Sequence, residues 1–228
     1  MSDDDRDDDD KNRPMDCSGF PGPEPKWLTC PCGEITNRVP CWTCLQRQTR
    51  QAEDAEADEV AAKALPRRFA WARVDAPELR ARVRYQGNLE TLTRRILGAG
   101  NVVFTGPSGS GKTSLAVACF RKRGRFGMYV SSFELGVARI QHSAGDGEAE
   151  IVKRAMTIPW LLLDEVGAEP NTANNAVAAV VFKRYDQNLP TWFTTGLKSD
   201  DLSARYGAGF VRRLLEQNGY HVALGDRP

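Results

Sequence analysis

The stretch Gly106-Pro-Ser-Gly-Ser-Gly-Lys-Thr113 constrains the fold more than any other part of this sequence. It fits the phosphate-loop pattern G-x-x-x-x-G-K-S/T at every fixed position. An apolar run, Val102–Thr105, precedes it, and an apolar segment of helical pattern, Lys112–Arg123, follows it. A strand, a glycine-rich turn and a helix in this order are typical of domains that bind nucleoside phosphates.

The residue types in this loop suit an anion. Glycines allow backbone N–H groups to turn inward on β-phosphate oxygens, and the helix N-terminus adds its positive end. Lys112 adds a charge toward the β- and γ-phosphates, and Thr113 offers a hydroxyl to Mg²⁺. We therefore predict a nucleotide site formed by Gly106, Pro107, Ser108, Gly109, Ser110, Gly111, Lys112, Thr113 and Ser114.

A second motif, Pro159-Trp-Leu-Leu-Leu-Asp-Glu165, ends an apolar run on two carboxylates. Asp164 at the tip of a buried strand is predicted to hold Mg²⁺, directly or through water. Glu165 is predicted to be the base that polarises the attacking water. Alone, the motif also fits a core strand with a solvated acidic turn, but its pairing with the phosphate loop favours nucleotide hydrolysis.

Two other classes that use the same loop fit less well. A transporter ATPase needs a Leu-Ser-Gly-Gly signature helix, which the sequence does not contain. A small kinase needs a lid and an acceptor-binding insert, and the spacing leaves little room for them. Apolar runs that alternate with helical patterns predict an α/β fold with a parallel sheet flanked by helices, with strands at 102–105, 128–130, 160–163, 191–194 and 220–224.

The N-terminus is acidic. Residues 1–10 contain seven Asp and one Arg, whereas the whole chain carries a net charge of +1. We expect residues 1–16 to be a disordered tail, because such a run repels itself and buries no core. It does not resemble a secretory signal, and no apolar run approaches the ~18 residues of a membrane span. We therefore expect a cytoplasmic protein with no membrane partner.

Most of the cysteines lie close together near the N-terminus. Two close pairs, Cys30-Pro-Cys32 and Cys41-Trp-Thr-Cys44, suit tetrahedral Zn²⁺, since a segment this small needs a metal to fold. Cys17 is an alternative ligand to Cys30 or Cys32. Free thiols or a redox pair remain the other interpretations. We predict a zinc-binding, ribbon-like module over residues 17–44.

From Ala64 onward the sequence resembles the DnaC/IstB family of AAA+ ATPases, which are helicase loaders and transposition helper ATPases. The resemblance rests on a lead-in, two nucleotide motifs, a sensor-1 strand and an arginine-finger segment: Ala64–Trp71, Asn101–Val117, Leu161–Gly167, Pro190–Leu197 and Tyr206–Leu215. It implies a P-loop AAA+ core that hydrolyses ATP and assembles into homo-oligomers when ATP binds. The implied organisation is an acidic tail (1–16), a zinc module (17–44), a helical linker (45–66) and an ATPase domain (67–228).

The resemblance also assigns roles to individual residues. Arg213 matches the finger that reaches a neighbour's γ-phosphate, with Arg212 as the alternative, and Arg227 matches sensor 2. The family usually places Asn at the end of its sensor-1 strand, where this chain has Gly196. Either Thr195 replaces that Asn, or the sensor-1 function is weakened and we expect slow hydrolysis.

A zinc module ahead of such a core is similar to DnaI-type loaders, whose metal domain engages the replicative helicase. The resemblance thus implies a helicase partner and single-stranded DNA. Two alternatives stay open: a transposition helper on duplex DNA, and a zinc-anchored adaptor that binds ATP with little turnover. Arginines in residues 67–100 could contact DNA together with Phe69, Trp71 and Tyr85, unless these aromatic side chains pack on the core.

Overall fold

The computed structural model describes residues 27–123, 127–142, 145–170, 176–216 and 219–225. The predictions for the acidic tail, for Cys17 and for Arg227 lie outside the described residues. The chain divides into two compact units, residues 1–51 and 52–228.

The first unit contains a small antiparallel hairpin of β1 (Leu28–Thr29) and β2 (Ile35–Thr36). Helix α1 (Trp42–Ala64) begins in this unit and ends in the second. Its glutamate, glutamine and alanine residues have high helix propensity. An ion pair between Lys63 and Glu59, 2.9 Å apart at i,i+4 spacing, supports its last turn. Helix α1 covers most of residues 45–66, for which the sequence predicts a helical linker.

The second unit is built on a five-stranded parallel sheet. Along the chain its strands are β3 (Val102–Thr105), β4 (Gly127–Ser131), β5 (Trp160–Asp164), β6 (Thr191–Thr195) and β7 (Tyr220–Ala223). Their order across the sheet is β4-β5-β6-β3-β7, with parallel pairing throughout. Buried apolar side chains on both faces explain the continuous apolar runs in the sequence. The predicted α/β fold is confirmed.

Helices cover both faces of this sheet: α2 (Pro77–Arg82), α3 (Leu89–Gly98), α4 (Lys112–Arg123), α5 (Ser132–Gln141), α6 (Glu150–Thr157), α7 (Ala176–Asp186), α8 (Ser199–Tyr206) and α9 (Ala208–Glu216). One face packs against α2–α4 around Phe104 and Trp192. The other packs against α5–α9 around Phe193. Within the described part of the chain, no helix has both the length and the apolar character that crossing a membrane requires.

A one-turn 3-10 helix, Arg67–Phe69, precedes α2 and lies on the α4 face. Phe69 and Trp71 pack against the apolar cluster of that face. The indole Nε1 of Trp71 donates a hydrogen bond to the carbonyl of Arg68 (2.9 Å). These two rings therefore pack on the core, whereas Tyr85 is exposed.

Arg184 on α7 is completely buried. Its Nε donates to the hydroxyl of Thr191 (2.8 Å), and its terminal nitrogens donate to the carbonyls of Ala155, Ile158, Pro159 and Pro190. Burial lowers the pKa of this guanidinium to about 10, which still leaves it charged at neutral pH. It joins the end of α6 and the start of β6 to α7, and so fixes the strand that ends at the site described below.

We expect Arg184→Met to destabilise the second unit by about 3 to 5 kcal/mol, because buried carbonyls lose their donors. Urea denaturation followed by circular dichroism measures this change. Lys183→Met is the matched control, since Lys183 is the exposed neighbour on the same helix and should change stability by less than about 0.5 kcal/mol. A loss below about 1 kcal/mol in Arg184→Met would show that water replaces the guanidinium.

Candidate nucleotide site and cysteine cluster

The phosphate loop connects β3 to the N-terminus of α4. Gly106 and Gly111 adopt positive φ angles of 144° and 88°. A Cβ at Gly106 would collide with the carbonyl oxygen of Leu224, and one at Gly111 would lie 2.8 Å from that of Arg82. Both positions therefore need glycine, because the backbone on either side is packed against the loop.

Lys112 lies at the start of α4, with its ammonium group folded back on the loop. The Nζ donates to the carbonyls of Gly106 (2.8 Å) and Pro107 (2.9 Å). Burial lowers the pKa of Lys112, while the negative charges of Asp164 and Glu165 oppose that shift. The cation is thus held at the loop by neutral acceptors that a phosphate can replace.

Asp164 lies buried at the carboxyl end of β5, next to the phosphate loop. Its Oδ1 accepts a hydrogen bond from Thr113 Oγ1 (2.8 Å), across a separation of 51 residues. The same oxygen accepts a second bond from Thr194 Oγ1 at the end of β6 (2.6 Å). Because the Thr113 hydroxyl donates its hydrogen bond to Asp164, its lone pairs stay available to a cation. The structure therefore brings the two predicted magnesium residues together.

Glu165 has a left-handed backbone, with a φ of 55°. Two hydroxyls hold this unfavourable conformation: the N–H of Glu165 donates to Thr194 Oγ1 (3.0 Å), and Ser132 Oγ donates to its carbonyl (2.5 Å). The turn leaves the carboxylate side chain exposed toward the cavity beside the phosphate loop. Thr194 and Ser132 are site residues that the sequence reasoning missed.

Thr195, the predicted substitute for the sensor-1 Asn, is also buried at the end of β6. Its hydroxyl donates to the carbonyl of Val166 (2.7 Å) and accepts from the N–H of Leu197 (3.1 Å). Thr194, rather than Thr195, contacts both acidic residues. A Cβ at Gly196 would meet only the carbonyl of Gly106, at 4.0 Å, so space does not require glycine there.

A cavity of ≈ 540 Å³ lies between the phosphate loop, the turn after β5 and the end of β6. This volume falls within the usual range of small-molecule sites. Lys112, Thr113 and Glu165 line it, together with Thr194, Thr195 and Gly196. A cation, a hydroxyl and a carboxylate therefore face one space in which a triphosphate and a water molecule can meet.

Arg213 on α9 packs within its own subunit. Its guanidinium lies over the rings of Phe182 (4.8 Å) and Tyr185 (5.4 Å), and its NH1 donates to the carbonyl of Gly209 (3.1 Å). The adjacent Arg212 is exposed.

The four cysteines predicted to bind zinc converge in the first unit. All four Sγ atoms lie within 4.8 Å of one another, with Cys30 3.6 Å from Cys44 and Cys32 3.5 Å from Cys41. These separations are too long for a disulfide bond. A tetrahedral zinc with Zn–S bonds of about 2.3 Å would place its sulfur atoms about 3.8 Å apart. The donor set therefore fits Zn²⁺.

Hydrogen bonds within the cluster lower the pKa of Cys30 and raise the pKa values of Cys41 and Cys44. Backbone N–H groups of Cys32 and Cys41 lower the pKa of Cys30 to about 6. Cys41 lies just before α1, and its Sγ accepts a hydrogen bond from the N–H of Cys44 (3.4 Å). A hydrogen bond with Glu34 raises the pKa of Cys41 in the metal-free arrangement. Zinc would replace that proton, since a bound thiol is deprotonated.

Comparisons with known proteins agree with this geometry. Residues 49–208 match the family model described as IstB-like ATP binding protein. No curated protein matches the chain in sequence. The crystal structure of the DnaC helicase loader is similar, with a TM-score of 0.56 and 23% identity, over 70% of this chain and 99% of that one. That of DnaI has a TM-score of 0.53 and 22% identity, over 72% and 93%. At these identities the likeness shows the fold alone, which here is a parallel sheet flanked by helices.

Proposed function

Because the chain belongs to the family of IstB-like ATP-binding proteins, we propose that it is an AAA+ ATPase that loads a replicative helicase. The observation that carries the hydrolytic part is the junction of Thr113, Asp164 and Glu165 beside one cavity. A site that only bound ATP would need neither the strained Glu165 nor the hydroxyls that hold it.

In this proposal each residue of the site has its own role. Lys112 exchanges its two carbonyl acceptors for phosphate oxygens, and the loop amides and the α4 N-terminus complete the anion site. Thr113 offers its lone pairs to Mg²⁺, which neutralises developing charge on the phosphates when it is bound. Glu165 accepts a proton from the water that attacks the γ-phosphate. Thr194 hydrogen-bonds both Asp164 and Glu165 and so holds the two residues in position.

The first unit supports a protein partner. Its apolar side chains are largely exposed, although a segment this small would gain stability by burying them: Trp27, Leu28, Ile35, Val39 and Trp42. Exposed tryptophans are typical anchors of protein interfaces. The similar fold of the DnaC helicase loader favours a replicative helicase as the partner. The zinc-bound cysteine cluster would hold these side chains in place.

Assembly and DNA binding complete the proposal. We propose that Arg213 contacts the γ-phosphate of a neighbouring copy. For this contact its guanidinium would leave the rings of Phe182 and Tyr185 and bind the phosphate instead. Arg227 is assigned to sensor 2 and Thr195 to the sensor-1 position. Single-stranded DNA is the proposed nucleic-acid partner. The IstB-like family model also favours a second candidate, a transposition helper that assembles on duplex DNA.

We expect the protein to co-elute with the replicative helicase of the same organism when ATP and Mg²⁺ are present. Lys112→Ala should abolish this complex, because loss of the ammonium weakens ATP binding by about 100-fold or more. Trp42→Ser should weaken it while ATP binding is unchanged, since Trp42 belongs to the first unit. If the complex fails to form and an ATP-dependent filament on duplex DNA appears instead, the transposition helper is the correct function.

A further inference from the structure

The second oxygen of Asp164 has partners that the proposed mechanism leaves unused. Tyr129 on β4 donates its hydroxyl to Oδ2 (2.6 Å). The guanidinium of Arg68 lies 3.9 Å from the same oxygen. Tyr129 reaches Asp164 because β4 pairs with β5, so the tyrosine ring lies along the strand that carries the carboxylate. Both oxygens of the carboxylate are therefore held, by different elements.

The three hydroxyls divide between the two oxygens in a way that fixes the carboxylate. Thr113 and Thr194 donate to Oδ1, and Tyr129 donates to Oδ2. Rotation about the Cβ–Cγ bond would break all three bonds, and Tyr129 opposes it through its bond to Oδ2. The Asp164 side chain is only 1% exposed, so water offers little replacement for a lost donor.

We propose that Tyr129 is a positioning residue for the magnesium site, holding Oδ2 of Asp164 so that Oδ1 stays on the hydroxyl of Thr113. This inference rests on the proposed ATPase function. The phenol hydroxyl lies 2.6 Å from Oδ2, a short and therefore favourable distance for a hydrogen bond to a carboxylate. Without it, the carboxylate can turn away from Thr113, and the Thr113 lone pairs are no longer directed at the cation.

Arg68 lies near the same oxygen, but its positive charge disfavours Mg²⁺ binding, whereas Tyr129 favours it. Its hydrogen bond to Tyr129 and the charges of the acidic residues raise its pKa, so it remains a cation. A positive charge this close to Asp164 repels Mg²⁺ and competes for the carboxylate. Its side chain is 65% exposed and lies over the ring of Phe69 (4.9 Å), so solvent screens much of this effect.

The test is a Mg²⁺ titration of the binding of a fluorescent ATP analogue by the full chain. Tyr129→Phe keeps the packed ring and should raise the half-maximal Mg²⁺ concentration about tenfold, with Mg²⁺-free affinity within about twofold of wild type. Arg68→Gln should lower that concentration about two- to threefold. Tyr220→Phe is the matched control, because it removes a hydroxyl near the same apolar cluster at the opposite end of the sheet.

The outcomes separate this inference from the function on which it rests. If wild-type protein binds the analogue with no dependence on Mg²⁺, the proposed ATPase function fails first. If wild type responds to Mg²⁺ and Tyr129→Phe follows the same curve, the positioning role is wrong. It is also wrong if Tyr129→Phe weakens Mg²⁺-free binding as much, because the residue then supports the fold alone. Arg68→Gln tests the effect of the positive charge beside the same oxygen.

Discussion

Glu165→Gln should slow ATP hydrolysis by about 10²- to 10⁴-fold, the usual contribution of a general base. ATP binding should stay within about twofold of wild type, because glutamine has nearly the same volume and removes no phosphate contact. The left-handed backbone at this position is held through main-chain groups that glutamine retains. The variant therefore isolates proton transfer from binding.

Single-turnover hydrolysis of ATP by saturating protein measures this effect without interference from product release. Glu150→Gln is the matched control, since Glu150 is an exposed carboxylate on α6, outside the cavity. We expect it to hydrolyse ATP at the wild-type rate. A Glu165→Gln protein that keeps more than about a tenth of wild-type turnover would show that another group activates the water.

The sequence predicted the parts of the site that a continuous local signal encodes. Val102–Thr105 and Lys112–Arg123 have the boundaries predicted for them, because a buried strand, a glycine turn and a helix N-terminus follow one another without interruption. Asp164 was found for the same reason, since it ends an apolar run. Parallel pairing then places Asp164 beside Thr113, which is a property of the fold rather than of either motif.

The residues that fix the acidic pair could not be predicted, because their contacts depend on the register of three strands. Thr194 reaches Asp164 from β6, Tyr129 reaches it from β4, and Ser132 reaches the carbonyl of Glu165 from the start of α5. Serine, threonine and tyrosine are common at strand ends, so no residue type distinguishes these three. The available signal was a hydroxyl-bearing residue near the end of a strand, where a neighbouring strand ends in a carboxylate.

Arg184 and Arg213 show the same difficulty for cations. Both have the sequence setting of a solvated helix residue, but Arg184 is completely buried among carbonyls and Arg213 covers two aromatic rings. A guanidinium has five donors in a plane, so several buried backbone carbonyls can accept its hydrogen bonds in place of a carboxylate. Tertiary packing brings such carbonyls together, and it leaves no periodic pattern in one sequence.

Removing zinc should unfold the first unit and leave the ATP site of the second unit active. The hairpin strands contain two residues each, and the apolar side chains around them are largely exposed, so little apolar burial stabilises this unit. Zinc binding by four thiolates contributes about 10 to 16 kcal/mol in small structural domains, which exceeds any other contribution available here. Cys41→Ser combined with Cys44→Ser should therefore bind no zinc.

Metal analysis should find one zinc ion per wild-type chain. Two-dimensional NMR should show that chelation collapses the chemical-shift dispersion of first-unit resonances and leaves those of the second unit in place. ATP affinity should change by less than about twofold, because the apolar clusters on both faces of the sheet consist of residues from Leu65 onward, in the second unit. Cys119→Ala is the matched control: this thiol is buried on α4, so its loss affects the second unit and leaves zinc bound. Wild-type protein without zinc, or a chelator that also abolishes ATP binding, would contradict a separate metal-dependent unit. Loss of helicase co-elution after chelation, with ATP hydrolysis intact, would place partner recognition on that unit.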